Sequence, residues 1–259
     1  MELDFKKSLS DGKYAAYSTV TFVAVILLWC VLSYGGFVQP FFLPSPTDVL
    51  KDTYTLFFTD SFSRDILHSF SRVLAGFLIS ALLAIPLGIL MGSFHQFDAL
   101  LAPFFGFIRF IPATAFIPLL ILWVGIGFAE KLAVLFISIF FYLVLFVADI
   151  ARDVRKELIE TAYTLGASRW QVLLRVIVPA SLPAIWNALR IMIGVGWTTL
   201  VVVEIVGAQT GIAAMMVESQ RFLKKGRIIA GIFTIGFLGL FCDYFFKRTY
   251  RALYKWVED

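Results

Sequence analysis

The sequence predicts an all-α membrane protein with six transmembrane helices, and three observations carry that reading. Of its 259 residues, 60% are hydrophobic and only 15% charged, with 28 Phe, where a soluble domain carries about 25% charged residues. The apolar residues gather into runs near the ~20 residues a helix needs to cross a hydrocarbon core, at 17–34, 69–93, 103–124, 131–150, 184–207 and 228–246. One charged, amphipathic stretch, 151–178, is set among them. The expected organisation is an N-terminal segment 1–16, a six-span domain 17–246 and a tail 247–259.

The first residues are polar, with Lys6, Lys7 and Lys13, and an uncharged run follows from Tyr17 to Tyr34. A signal peptide would end in a small-residue cleavage site. No convincing one follows, so this run reads as the first span. After it, Leu43-Pro44-Ser45-Pro46 opens a helix: Ser45 can cap, Pro46 suits the first turn, and Asp48 complements the positive end of the helix dipole. Val49, Leu50, Tyr54, Phe57 and Phe58 then recur at helical spacing. That face either lies in the outer membrane interface or packs on the protein's own outer surface.

In the second and third runs, Pro86, Pro112 and Pro118 each remove a backbone donor and are expected to kink their helices. Such breaks are tolerated where they line a cavity. With both termini inside, the inner segments carry twelve Lys and Arg against seven outside, Lys131 among the latter. The bias favours that orientation and places 151–178 in the cytoplasm.

Within 151–178, Val154, Leu158, Ala162 and Leu165 fall on one helical stripe. Gly166 permits a sharp turn. Ser168-Arg169-Trp170-Gln171 has the form of a capping box opening a second short helix. Leu173, Leu174 and Ile177 give that helix an apolar face, and Pro179 with Pro183 should end it before the next span. The product is a helix–turn–helix with a compact tip at Gly166. An ordinary hairpin capping the bundle would satisfy the periodicity equally.

Several chemistries are excluded. Cys30 and Cys242 lie in apolar runs with no ligand cluster, and His68 and His95 are far apart, which argues against a disulfide, a metal centre or an intramembrane enzyme. No Gly-x-x-x-x-Gly-Lys-Ser/Thr loop occurs, so ATP is not bound by that route. No nucleic-acid partner is expected.

Glu160-Thr161-Ala162-Tyr163-Thr164-Leu165-Gly166, followed by an apolar helix reaching Pro179, resembles the "EAA" loop of bacterial ABC-importer permeases, with Thr161 in place of the first Ala. Leu43-Pro44-Ser45-Pro46, the run Ile117 to Gly127, Glu204-Ile205-Val206-Gly207-Ala208 with Gly211, and Gly236 to Asp243 are similar to permeases of the nitrate/sulfonate/taurine/bicarbonate group. The resemblance implies a type I ABC importer permease fold in a bacterial inner membrane, importing a small anion by alternating access. It also implies a second permease subunit, two cytoplasmic ATPase subunits that carry ATP and Mg, and an external substrate-binding protein. Glu160, Ala162, Leu165, Gly166, Ala167 and Ser168 would then form the coupling helix that docks on the ATPase. A self-sufficient channel or secondary transporter is the alternative. It predicts internal repeats and midplane charges, and neither is evident.

Ionisable residues inside spans are functional candidates. Glu204 lacks a partner one turn away, at Leu200 or Ala208, and sits at the depth of the outer basic segment Arg221, Lys224, Lys225 and Arg227. It reads as half of a Glu–Arg pair holding an outer gate, or as a pathway group. Arg109 and Arg190 share a depth near the inner surface. They either line an anion route, or pair with Asp149 or snorkel to headgroups. Asp243 has Lys247 one turn on. Arg221, Lys224 and Lys225 run against the positive-inside bias, as a basic vestibule for anions or as a face for the binding protein.

Overall fold

The architecture is set by helices that satisfy their own backbone, the requirement lipid imposes on any spanning segment. The computed structural model describes residues 11–207 and 209–256. Lys6, Lys7, Ala208 and the last three residues of the tail lie outside them. In chain order the helices are α1 (Asp11–Tyr34), α2 (Pro46–Phe58), α3 (Phe62–Ser93), α4 (His95–Ile108), α5 (Ile117–Val124), α6 (Phe128–Arg152), α7 (Lys156–Thr164), α8 (Arg169–Val172), α9 (Val178–Ile205), α10 (Ile212–Arg221) and α11 (Lys225–Leu253). Among the described residues, five helical stretches are long and apolar enough to cross a membrane, or six if one bent pair is a single span.

The chain divides into two compact units. One comprises residues up to Asp60 together with Ser219–Ala230. In it α1 is joined to the start of α2 by Trp29, whose indole donates to Pro44 O at 3.1 Å, and by Tyr34, whose hydroxyl donates to Thr47 Oγ1 at 3.0 Å. Ser45 caps α2 as its sequence requires, accepting from Asp48 N–H at 3.2 Å. Val49 and Leu56 are buried, while Leu50, Tyr54, Phe57 and Phe58 stay exposed.

The other unit comprises Ser61–Glu218 and Gly231–Asp259. Its core is the crossing of α3, α6 and α9, with Val73, Phe77, Leu135, Leu143, Ile185 and Met192 all buried. Lipid offers no hydrophobic drive for helices to associate, so close van der Waals packing carries the interface. Gly88 of α3 shows the consequence. A Cβ there would stand 2.6 Å from both Val144 O and Val147 Cβ of α6, so only hydrogen lets the two backbones meet.

Three expectations change. The run 103–124 is not one helix: α4 and the following segment Ala113–Val124 meet at an 82° bend. Pro112 lacks a donor and disfavours helical geometry at Ile111, so α4 ends and a short 3-10 turn, Ala113–Phe116, restarts the chain. Pro86, by contrast, lies within the uninterrupted α3. Nor do Pro179 and Pro183 end the second cytoplasmic helix. Arg169 to Ile205 runs on for 37 residues through a π turn at Leu173–Ile177. There Val178 N–H reaches back five residues to Leu173 O, leaving Pro179 in the first turn of α9, where a missing N–H costs least. Finally, Lys131 is no loop charge. It lies buried in the first turn of α6, 3.0 Å from the equally buried Glu130.

Candidate functional site

The coupling segment begins where α6 ends. The chain turns through residues 153–155, and α7 starts at Lys156. Glu157 sits in its first turn, and its carboxyl is held below the usual glutamate value by a hydrogen bond to its own backbone and then by Arg155, 3.4 Å away. Thr161 and Thr164 return their hydroxyls to Glu157 O and Glu160 O, at 2.7 and 2.9 Å. The two threonine hydroxyls are thus spent on the helix itself, leaving carboxylates, Lys156 and Tyr163 exposed along it.

Its C-terminus is a Schellman motif. Ala167 N–H donates to Ala162 O at 3.0 Å and Gly166 N–H to Tyr163 O at 2.9 Å, with Gly166 at φ +82°. A residue with a Cβ would pay about 1–2 kcal/mol there. Ser168 then opens α8 with a complete capping box: its N–H donates to Gln171 Oε1 at 2.7 Å, and its Oγ accepts from Gln171 N–H at 3.4 Å. Two caps back to back make a rigid knob of Leu165, Gly166, Ala167 and Ser168.

The expected stripe is partly rotated. Ala162, together with Ile159, packs against the core, whereas Leu158 and Leu165 are exposed, Leu165 by 82%. Glu160 is exposed as well. On the second helix Leu173 and Ile177 are buried but Leu174 is not. The exposed apolar tip is therefore unpartnered among the described residues.

At the opposite end of α9, Glu204 is fully buried and far from alone. Its Oε1 accepts from Arg72 Nη1 at 2.6 Å and from Ser69 Oγ at 2.7 Å, and its Oε2 accepts from Ala213 N–H at 3.0 Å. Arg72 also donates to Thr210 O and Thr210 Oγ1. Asp65 accepts from Gly211 N–H at 2.8 Å and Ser69 from Ile212 N–H at 2.9 Å. The first turn of α10, whose N–H groups no helix can satisfy internally, is thus capped by side chains of α3 and α9. The Glu–Arg pair is present, but its arginine is Arg72 rather than any of 221–227.

Arg190 is half-buried and pairs with Asp243, not Asp149, which instead holds Arg152. Arg109 caps the end of α4, exposed, its guanidinium 5.0 Å from the Phe110 ring centre. The two arginines line different hollows, of about 610 and 230 Å³. In the first unit Lys225 lies 3.5 Å over the Phe41 ring and Arg227 pairs with Asp60 at 2.6 Å, while Arg221 and Lys224 are exposed.

The profile of the binding-protein-dependent transport system inner membrane components matches residues 84–259. The chain belongs to that family. It is 38% identical over 230 residues to a probable ABC transporter permease protein of Brucella abortus (strain 2308), covering 89% of this chain and 91% of that one. It is 31% identical to the taurine transport system permease protein TauC of Escherichia coli (strain K12), over 95% and 91% of the two chains. With the bicarbonate transport system permease protein CmpB of Synechococcus elongatus it shares 29% identity, over 90% and 85%. A solved structure of the MetNI methionine ABC transporter, in an inward-facing conformation, superposes with TM-score 0.66 at 17% identity, over 73% of this chain and 94% of that one. The permease thus has the type I ABC importer permease fold and is a membrane component of an ABC importer.

Sequence reasoning missed the permease's Arg72, Ser69, Asp65 and Thr210. One signal was available: Arg72 is a charge near the outer end of its apolar run, at the depth of a glutamate that lacked a partner.

Proposed function

We propose that this permease carries a small anion of the sulfonate, taurine, nitrate or bicarbonate class inward, driven by separate cytoplasmic ATPase subunits on which ATP and Mg are bound. The knob at Gly166 is the lever. Leu165 projects from a doubly capped turn and is 82% exposed, an apolar tip on a polar helix that suits a groove on a partner. In this reading both termini are cytoplasmic, two copies of the chain enclose the route, and an external binding protein delivers the anion. ATP binding moves the knob, and α8 with α9, one continuous stretch, passes the displacement into the bundle.

Reconstitution tests this. Proteoliposomes holding the permease, its ATPase and its binding protein should take up radiolabelled taurine, an alkanesulfonate or bicarbonate only with ATP inside. Uptake by the chain alone, at the same rate, would instead make it a self-sufficient channel or carrier.

A further inference from the structure

Arg190 on α9 reaches Asp243 on α11 through Nε, 3.1 Å from Oδ1, and the second oxygen of that carboxylate holds Lys247 at 2.7 Å. One carboxylate therefore faces two cations and leaves one positive charge unmatched. Among the described residues, the two terminal nitrogens of Arg190 have no acceptor. They form the flat edge of a guanidinium, the geometry that matches two oxygens of an oxyanion.

Arg190 also lines a hollow of about 610 Å³ that opens between α9 and α11. Its walls include Gly194, Trp197, Thr198, Gly236 and Gly239, and among the described residues Arg190 and Asp243 are its only charged lining. Open space stands where a Cβ would lie on Gly194, Gly236 and Gly239. The Arg190 side chain is a third exposed and lines the hollow, so a solute there can reach it. Arg109 lacks these features: its smaller hollow holds no carboxylate, and its charge rests against Phe110.

We propose that the free edge of Arg190 is an oxyanion site, taking a small monoanion whose apolar part lies along the glycine-lined wall. The inference rests on the reading that the cargo is such an anion. Asp243 gives the site its second property. By competing for the same arginine it keeps the anion's hold weak, and a transport site must release what it binds. Removing the carboxylate should therefore tighten binding and slow release, while removing the guanidinium should abolish binding.

Methanesulfonate, a monoanion with one methyl group, is the probe. Its binding to the permease–ATPase assembly without the binding protein is read by saturation-transfer NMR, and uptake is read in proteoliposomes. The expected results are a signal in the wild type, its loss in Arg190→Gln, and binding weakened roughly tenfold in Arg190→Lys, which keeps the charge but not the fork. Asp243→Asn should bind more tightly and turn over more slowly. No signal in the wild type, wild-type binding by Arg190→Gln, or equal competition by neutral dimethyl sulfone would overturn the site. Arg190-dependent binding in an assembly that imports no anion would sink the import reading and leave the site standing.

Discussion

Arg72 and Glu204 lie 132 residues apart in sequence and 2.6 Å apart in space, their side chains 9% and 0% exposed. The pair joins α3 to the last turn of α9, and through Ala213 it also holds the start of α10. Both charges are buried, and each is the other's counter-charge.

Removing one partner strands the other in a low-dielectric site, at about 3–5 kcal/mol. Arg72→Met or Glu204→Gln alone should therefore lower stability in detergent by an amount of that order. The double variant should lose less than the sum, because no uncompensated charge remains. Denaturation of all four proteins closes the cycle, and additive losses would show that the two residues act separately.

Gly211 stands at φ +117°, and a Cβ there would run into the Glu204 carboxylate. Gly211→Ala should therefore destabilise the permease and loosen α10, seen as faster amide exchange at Ile212 and Ala213. Gly106, in α4 with open space around it, is the control. Its change to Ala should be neutral or stabilising by about 0.5–1 kcal/mol.

At Gly166 the surroundings are empty and only the backbone forbids a side chain. Gly166→Val should leave membrane insertion intact but distort the knob, lowering uptake per ATP hydrolysed. Gly166→Asn, better tolerated in the left-handed region, should do less harm. Equal coupling ratios for Val, Asn and wild type would show that the turn plays no part in coupling.

Glu157 carries a pH dependence whose sign follows from its lowered folded-state value. Its contribution to the start of α7 is present above the ordinary glutamate range, near about 4.3. It is lost as the pH falls through the folded value. Amide exchange at residues 157–160 should accelerate on acidification relative to Glu157→Gln at the same pH. Parallel profiles would contradict it.

The local features were legible in the sequence. Ser45, Ser168 with Gln171, and Gly166 act on neighbours within a few residues, so their caps and turn follow from residue type and spacing alone. What failed was phase and distance. The stripe from Val154 to Leu165 assumed one helix, but α6 ends at Arg152 and α7 starts afresh at Lys156. That restart turns Ile159 inward and Leu158 out. Pro112 broke a span where a kink was expected, and Pro179 was accommodated by a π turn where an end was expected. Arg72 could not be assigned to Glu204 because pairing across the bundle depends on how α3 and α9 cross, which periodicity does not encode.

The most direct measurement of the central claim is site-specific photo-cross-linking from position 165. A photoreactive residue replacing Leu165 in the assembled transporter should give an adduct with the ATPase subunit, in a yield that changes when ATP is added. If adducts form only with lipid or solvent while the same assembly still drives uptake, the knob is not the lever.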